Sequence, residues 1–268
     1  MPAPQAVTGP SWRVARLGRT PVKGMAHPAL PTLDLTPSGP LHDRVFCLAD
    51  ADGEVVRTVR DDVLMACRAL WKPPVLMIRT PIGDATGVAA GGVPLAGSYW
   101  GRPVELVALD GPWSPLLSRY LGRPVSLCRV SAPGAVVWSG SVSVVTTSSL
   151  AEVARRIGRP PDDGARFRPT VVVDTGIAGP FVEDGWAGRR LRIGSAVIRV
   201  AGRMARCAVV DRRPGAGGRD ADVLAALAPD RVHDGEIVLG VHGDVEVPGR
   251  VAVGDAVVLG DRQGGVTR

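Results

Sequence analysis

The stretch Leu191-Arg-Ile-Gly-Ser-Ala-Val-Ile-Arg-Val-Ala-Gly-Arg-Met-Ala-Arg-Cys-Ala-Val-Val210 carries the pattern that decides the fold. It is rich in valine and isoleucine and predicts three short strands, at 191–193, 196–200 and 207–210. The last of them opens on Cys207, which follows Arg206. A thiolate in this position is a candidate metal ligand, although a free cysteine is also commonly a small buried hydrophobe.

Short segments of the same kind recur along the whole chain, divided by glycine and proline. Asp52-Gly53 is a turn pair that favours a hairpin between two of them. So many short, valine-rich strands predict a mainly β, β-barrel-like fold. The other predicted strands are 11–17, 45–49, 55–58, 75–79, 104–109, 125–130, 142–146, 170–173, 236–239, 244–247 and 256–259.

A few short α-helices are predicted between the strands. The first covers 114–122, with a proline in its first turn. The second covers 149–158, because Ser149 and Glu152 match a capping box. The third covers 220–227 and ends before a proline.

Length and composition set the broad class of the protein. A chain of 268 residues with 45% hydrophobic content can bury one large core or two smaller ones, and its length favours two domains. No uninterrupted apolar run reaches the roughly 18 residues needed to span a bilayer, so we expect no membrane span. Residues 1–11 do not have the pattern of a secretory signal, and we therefore expect a cytoplasmic location.

The four cysteines are far apart in the sequence, and no pair has the two-residue spacing of zinc, redox or iron–sulfur motifs. We expect reduced thiols. The usual hydrolase and zinc-enzyme motifs are also missing, as is any paired spacing among the four histidines.

The net charge of +6 raises nucleic-acid binding as a function. The charges do not cluster, however, and an aromatic content of 4% is low for a base-stacking surface, so we expect no nucleic-acid partner. Arginine is far more common than lysine, and the chain has only two lysines, Lys23 and Lys72. A lysine is therefore an unusual choice in this chain.

Six local patterns follow one another along the chain. They are Thr20-Pro21-Val22-Lys23-Gly24, His42-Asp43-Arg44, Arg166-Phe167-Arg168-Pro169-Thr170, Phe181-Val182-Glu183-Asp184-Gly185-Trp186, Ala205-Arg206-Cys207 and Val253-Gly254-Asp255. Together they resemble the MOSC proteins. The resemblance covers about residues 11–261 and includes the N-terminal β-barrel domain found in the mitochondrial amidoxime-reducing component and its bacterial relatives. It implies a two-part architecture, with an N-terminal domain at 11–110 and a MOSC domain at 111–262.

The resemblance implies a molybdenum-pterin cofactor (Mo-molybdopterin) held between the two parts. Cys207 matches the family's molybdenum ligand and so becomes the catalytic residue, since a soft thiolate suits such a metal. Lys23 and Arg44 match residues that hold the pterin phosphate, and both side chains are suited to phosphate. Arg168 matches a further cofactor contact, and Arg206 would favour the thiolate form of Cys207.

The remaining candidate cofactor contacts are less specific. Thr147, Ser148 and Ser149 fall where the family places hydroxyl groups near the cofactor, but Ser149 is also the predicted helix cap. Thr170 stands where the family usually has asparagine, and His242 stands at a tyrosine position. His242 is either a titratable group near the site or a structural histidine.

The chain also departs from the family at Gly24, where a serine is usual, so the fit to the cofactor stays open.

The first hypothesis is an oxidoreductase that reduces small N-hydroxylated compounds and takes electrons from a separate reductase or small electron carrier. The alternatives are a sulfur or molybdenum-cofactor carrier that uses Cys207, and a MOSC binding module without cofactor.

Overall fold

The computed structural model describes residues 12–162 and 164–262. Residue 11, the first of the strand predicted at 11–17, lies outside the described residues. The helices are α1 Trp113–Leu121, α2 Thr147–Arg156 and α3 Val223–Leu227, and 3-10 turns cover Asp62–Ala66, Ala165–Phe167, Val182–Trp186 and Ala208–Asp211. The strands are β1 Trp12–Gly18, β2 Ala29–Leu30, β3 Thr32–Thr36, β4 Gly39–Pro40, β5 Phe46–Ala49, β6 Arg68–Lys72, β7 Val75–Thr80, β8 Gly83–Val88, β9 Val93–Tyr99, β10 Arg102–Ala108, β11 Ser126–Val130, β12 Val142–Thr146, β13 Val171–Asp174, β14 Arg189–Ile193, β15 Ala196–Ala205, β16 Val232–His233, β17 Glu236–Val247, β18 Gly249–Ala252 and β19 Ala256–Arg262.

Seven of these strands close into a barrel. Their order is β12, β13, β1, β19, β14, β15 and β17, and β17 pairs with β12 to complete the ring. β12 and β13 run parallel, whereas the other neighbouring pairs run antiparallel. β1 lies between β13 and β19, so the first and last described strands are neighbours. The prediction of a mainly β, barrel-like fold is confirmed.

Alternating apolar side chains fill the barrel. Leu191 and Ile193 in β14, and Ala196 and Ile198 in β15, are fully buried, while the intervening residues of each strand are less buried. This period of two places alternate residues of a strand on opposite faces of the sheet. Trp186 belongs to the same core and stacks on Trp12 with ring centroids 5.1 Å apart.

Three smaller sheets surround the barrel. The chain from β5 to β11 forms a four-stranded sheet in the order β5, β11, β10, β9 and a three-stranded sheet of β6, β7 and β8. Helix α1 packs on both, and its fully buried Trp113 donates a hydrogen bond from Nε1 to the Leu76 carbonyl oxygen at 3.1 Å. β3 pairs with β4 and with the distant β18. The domain division at 110/111 stays a prediction.

Helix α2 begins two residues before its predicted start. Thr146 is the N-cap, and its Oγ1 accepts a hydrogen bond from the backbone N–H of Ser149 at 3.2 Å. The prediction that Ser149 caps this helix is therefore wrong, because the Ser149 hydroxyl donates to Glu183 Oε2 at 2.8 Å instead. Helix α1 lies within one residue of its predicted bounds, and α3 starts three residues later than predicted. Within the described residues, no helix combines the length and apolar character required to cross a bilayer.

Three strand predictions are wrong. Residues 55–58 make only an isolated bridge, in which Val55 pairs with Ala49. Residues 207–210 form no strand, since β15 ends at Ala205 and the chain enters a 3-10 turn over Ala208–Asp211. The strands predicted at 236–239 and 244–247 are one long strand, β17.

Candidate functional site

A cavity of about 410 Å³ opens where the end of the barrel meets the N-terminal sheets. Its wall combines residues that are far apart in the sequence, from the first fifty residues to the end of β15. Six of the predicted site residues line it, namely Lys23, Arg44, Arg168, Thr170, Arg206 and Cys207. Thr147, Ser148, Ser149 and His242 are not among the lining residues.

The backbone around residue 22 brings Lys23 and Arg44 to the same wall. Val22 forms a parallel bridge with Phe46, and the Lys23 N–H donates to the Phe46 carbonyl at 2.8 Å. The Arg44 N–H donates to the Thr20 carbonyl at 2.7 Å. These bonds hold the two segments side by side, so two cations that are distant in sequence share one side of the cavity.

Lys23 reaches the cavity without a carboxylate partner in the part of the chain that the structure describes. Its Nζ donates to the Tyr99 hydroxyl and to the Val136 carbonyl, both at 2.9 Å, and lies 4.4 Å from the Tyr99 ring centroid. Burial, reinforced by the positive charges of Arg44 and Arg168, lowers the pKa of Lys23 to about 7. A bound anion would reverse this shift, since a negative charge favours the ammonium form.

Arg44 has part of its charge compensated. Its Nη1 donates to Asp43 Oδ2 at 2.7 Å, while Asp43 Oδ1 accepts the backbone N–H of Thr20 at 2.9 Å. Asp43, which belongs to the same predicted motif as Arg44, therefore fixes the orientation of the guanidinium group and does not line the cavity.

Arg168 has a buried side-chain nitrogen that lacks a hydrogen-bond partner among the described residues. Its backbone has a φ of 52°, in the left-handed region that few non-glycine residues adopt. Its Nη2 atom is buried with no hydrogen-bond partner among the described residues. Burial, followed by the charge of Arg44, lowers the pKa of Arg168 to about 9. A buried, unpaired guanidinium nitrogen is costly, and an anionic ligand in the cavity would satisfy it.

Cys207 is the exposed cysteine of the four, whereas Cys47, Cys67 and Cys128 are buried. All four are free thiols, as expected. Cys207 follows the end of β15 and directly precedes the 3-10 turn, and it lines the cavity. No group of three or more His, Cys, Asp or Glu side chains within 12–162 and 164–262 could hold a metal ion.

Arg206 stabilises the part of the cavity wall next to Cys207 by donating hydrogen bonds to backbone carbonyls. It donates to the Leu239 carbonyl from Nε at 2.9 Å and from Nη2 at 2.7 Å, and to the Phe167 carbonyl from Nη1 at 3.0 Å. Its backbone N–H also donates to the Ile237 carbonyl at 2.8 Å. Burial lowers the pKa of Arg206 to about 10, although the neighbouring Cys207 opposes the shift. Arg206 thus joins the Cys207 segment to β17 and to the turn that carries Arg168.

Gly24 and Thr170 are two positions at which the chain departs from the MOSC pattern, and the structure shows what surrounds each of them. Gly24 has a φ of 88°, a conformation that favours glycine, and a Cβ there would come within 3.0 Å of the Thr58 hydroxyl oxygen. A serine at this position would be strained. Thr170 and Ser143 exchange two hydrogen bonds, because each side-chain oxygen accepts the other residue's backbone N–H at 3.2 Å.

The three hydroxyl residues at the start of α2 have protein partners. Thr147 Oγ1 donates to Asp174 Oδ1 at 3.3 Å, and Ser148 Oγ donates to the Gly179 carbonyl at 3.2 Å. Ser149 is fully buried and bonds to Glu183, whose pKa is raised by burial. These bonds give all three residues a structural role at this end of the barrel.

His242 lies on β17, opposite Ser143 of β12. Its Nδ1 is buried without a hydrogen-bond partner among the described residues, and burial lowers its pKa. A Cβ on Gly140, which lines the cavity, would come within 2.8 Å of that nitrogen. His242 therefore lies just behind the cavity wall.

The mouth of the cavity contains residues that the motif search missed. Tyr99 and Trp100 stand at the β9–β10 turn, Trp138 lies on the segment before β12, and Arg57 lies beside Trp100. Trp100 and Trp138 are 45% and 61% exposed, which is unusual for such large aromatic side chains. The available signal was the pair Trp100-Gly101 shortly before the strand predicted at 104–109, since a tryptophan is a rare choice for a tight turn.

The charge of the cavity favours an anionic ligand. Six basic side chains line it, and Glu236 is the one acidic residue among the described lining residues. Arg166 is neutralised by Asp220 at 2.8 Å, and Arg44 by Asp43, but Lys23 and Arg168 form no ion pair within 12–162 and 164–262. An exposed thiol and unpaired cations in one cavity fit an anionic cofactor that carries a metal.

The comparisons with known proteins agree with this architecture. Residues 11–97 match the MOSC N-terminal beta barrel domain, and residues 131–258 match the MOSC domain. A search of curated proteins finds no match.

Two solved structures are similar to this chain. The YUAD protein from Bacillus subtilis is 14% identical, with 94% of this chain and 97% of that chain covered and a TM-score of 0.46. YiiM from Geobacillus stearothermophilus is 16% identical, with 47% and 57% covered and a TM-score of 0.33. The chain therefore contains an N-terminal MOSC beta barrel domain followed by a MOSC domain, in agreement with the predicted resemblance.

Proposed function

We propose that this protein is a molybdenum-cofactor-dependent oxidoreductase that reduces N-hydroxylated compounds at the N–O bond. MOSC domains are associated with the molybdenum cofactor. The observation that carries the proposal is the shared cavity of Cys207, Lys23 and Arg168, in which an exposed thiol and two cations without carboxylate partners among the described residues line the same wall. A metal-bearing, phosphate-bearing cofactor satisfies both kinds of group at once.

Each residue has a distinct role in this proposal. The Cys207 thiolate ligates the metal, and Lys23, Arg44 and Arg168 hold the phosphate of the pterin through ammonium and guanidinium groups. Thr170 lines the same cavity, while Arg206 positions Cys207 through its carbonyl bonds. Thr147, Ser148, Ser149 and His242 stay in the proposed set of cofactor contacts, although they do not line the cavity.

The bound cofactor would supply two-electron oxygen-atom transfer chemistry. In the overall reaction, a hydroxylamine takes up two electrons and two protons, its N–O bond breaks, and an amine and water are released. The electrons come from a separate reductase or small electron carrier. The chain itself binds and orients the reactants and sets the charge around them.

The first test is the molybdenum content of protein made in a host that synthesises the cofactor. We expect near-stoichiometric metal in the wild type and its loss in Cys207→Ser. Cys128→Ala is the matched control, because Cys128 is buried away from the cavity and its loss should leave the metal content unchanged. Equal metal content in the wild type and Cys207→Ser would show that Cys207 is not the ligand.

The exposure of Cys207 also favours a second function, a sulfur or cofactor carrier. A carrier should release its cargo to an acceptor, or hold sulfur as a persulfide that cyanide removes as thiocyanate. A reductase should keep molybdenum through purification and turn over benzamidoxime with a chemical electron donor. Metal-free protein without persulfide would leave the MOSC binding module as the remaining hypothesis.

A further inference from the structure

The hairpin between β9 and β10 places a tryptophan where a tight turn normally has asparagine or glycine. Arg102 pairs with Tyr99, so Trp100 and Gly101 are the two central residues of the turn. Their φ angles are 55° and 73°, as a type I′ turn requires. An exposed tryptophan gains nothing from core packing here, and such a strained position often marks a functional site.

A second exposed tryptophan meets Trp100 from another part of the chain. The ring centroids of Trp100 and Trp138 are 5.5 Å apart with a tilt of 59°. The Trp138 segment is held in place, because Lys23 Nζ donates to the Val136 carbonyl at 2.9 Å and Arg102 Nη2 donates to the Val137 carbonyl at 3.2 Å. The two indoles therefore form a fixed aromatic surface at the cavity mouth.

Two arginines flank this aromatic surface. The Arg57 guanidinium lies 4.3 Å from the Trp100 ring centroid, and that of Arg102 lies 5.7 Å from the Trp138 centroid. Neither arginine forms an ion pair within the described residues. Flat aromatic surfaces with unpaired guanidinium groups beside them bind planar rings that carry a negative charge.

We propose that Trp100 and Trp138, with Arg57 and Arg102, form a stacking site that selects planar aromatic carboxylates as ligands at the cavity mouth. Because the two indoles are tilted by 59°, the aromatic ring stacks on one of them and meets the other edge to face, and the carboxylate pairs with the guanidinium groups. That the ligand is also the substrate rests on the proposed function, which would make the substrate an N-hydroxylated aromatic acid. The binding itself depends only on the mouth residues.

The test is calorimetric titration of the full-length protein with 4-amidoximobenzoate, both as purified and after molybdenum loading. Benzamidoxime lacks the carboxylate, and the cyclohexane analogue of the probe lacks the planar ring. We expect each of these to bind at least fivefold more weakly than the probe. Equal binding of all three compounds, or no binding of the probe, would overturn the proposal.

The variants separate ring stacking from folding. Trp100→Asn removes the ring and keeps a residue that accepts the left-handed turn. We expect it to weaken probe binding about five- to tenfold with an unchanged thermal midpoint, and Trp138→Leu to weaken it similarly. Arg57→Gln and Arg102→Gln should reduce the preference for the probe over benzamidoxime. Arg192→Gln, at an exposed arginine of β14, is the control and should bind like the wild type.

The two proposals can fail separately. If molybdenum is retained through Cys207 but the probe does not bind, the stacking site is refuted and the proposed function stands. If the protein holds no molybdenum but binds the probe through Trp100 and Trp138, the stacking site stands and the reductase is refuted. Binding that is unchanged in Trp100→Asn and Trp138→Leu refutes the stacking site in either case.

Discussion

Replacing Lys23 with methionine should change the pH dependence of stability in a predictable way. Inside the protein the pKa of Lys23 falls from 10.5 to about 7, chiefly through burial. Protonating the Lys23 amine in the folded state therefore costs several kcal/mol more than in the unfolded chain, at about 1.4 kcal/mol per pKa unit. This penalty is present in full below pH 7 and disappears as the pH rises towards 10.5.

The sign follows from proton binding. Between pH 7 and 10.5 the unfolded chain binds one proton more at Lys23 than the folded chain, so the free energy of unfolding rises with pH in this range. From pH 7 to pH 9 the gain amounts to about 2 kcal/mol. Lys23→Met lacks this titration. Its stability relative to the wild type should therefore fall by about 2 kcal/mol over the same two pH units.

Urea unfolding of the wild type and the variant at pH 7 and pH 9 measures this difference. Lys72→Met is the matched control, because Lys72 is the other lysine of the chain and is exposed on β6. This variant removes a lysine without disturbing the buried surroundings of Lys23. Reductive methylation with ¹³C adds a direct readout, since the Lys23 signal can be followed by NMR and assigned by its loss in Lys23→Met. If the Lys23 signal does not titrate below about pH 9, the reasoning is refuted.

Two further predictions concern residues around the cavity wall. Arg206→Ala removes hydrogen bonds to two buried carbonyls and should lower the free energy of unfolding by about 3 kcal/mol. Urea unfolding measures this loss. The control is Arg203→Ala, at an exposed arginine, which should change the free energy of unfolding little. An equal effect of both variants would contradict the supporting role of Arg206. Ser149→Ala leaves the buried Glu183 carboxylate without one of its donors and should lower the free energy of unfolding by about 1–3 kcal/mol. Thr147→Ala, which removes an exposed hydrogen bond at the start of α2, should have only a small effect. A neutral Ser149→Ala would indicate that water replaces the hydroxyl group.

The strand pattern predicts much of the barrel because burial alternates in its strands. Residues 142–146 are a strand at the predicted bounds, since Val142 and Val144 pack in the barrel core and Val145 packs on the opposite face against α2. β17 was predicted as two strands because Gly240 and Gly243 interrupt its apolar pattern. In the fold these glycines allow close approach of neighbouring chains: a Cβ on Gly240 would meet the Val144 carbonyl, and one on Gly243 the Arg199 carbonyl. Such contacts depend on tertiary packing and leave no local signal.

Site residues that belong to the ordered motifs could be predicted from the sequence. Site residues outside these motifs could not. The order of the motifs led to Lys23, Arg44, Arg168 and Cys207, which share the cavity. The strand predicted at Cys207 was wrong because Arg206 turns the chain by bonding to carbonyls more than thirty residues away. The tryptophans of the mouth come from a turn and an irregular segment, where no periodic pattern exists.

The order of strands in the barrel has a consequence for synthesis of the protein. β1 emerges from the ribosome first, yet its two barrel neighbours are β13 and β19, and β19 is the last described strand. The ring therefore cannot close until translation has passed residue 262. Until then β1 has an unpaired edge, which other chains could pair with. We expect this strand to need shielding in the cell, and expression of residues 111–262 alone to yield an open, aggregation-prone sheet.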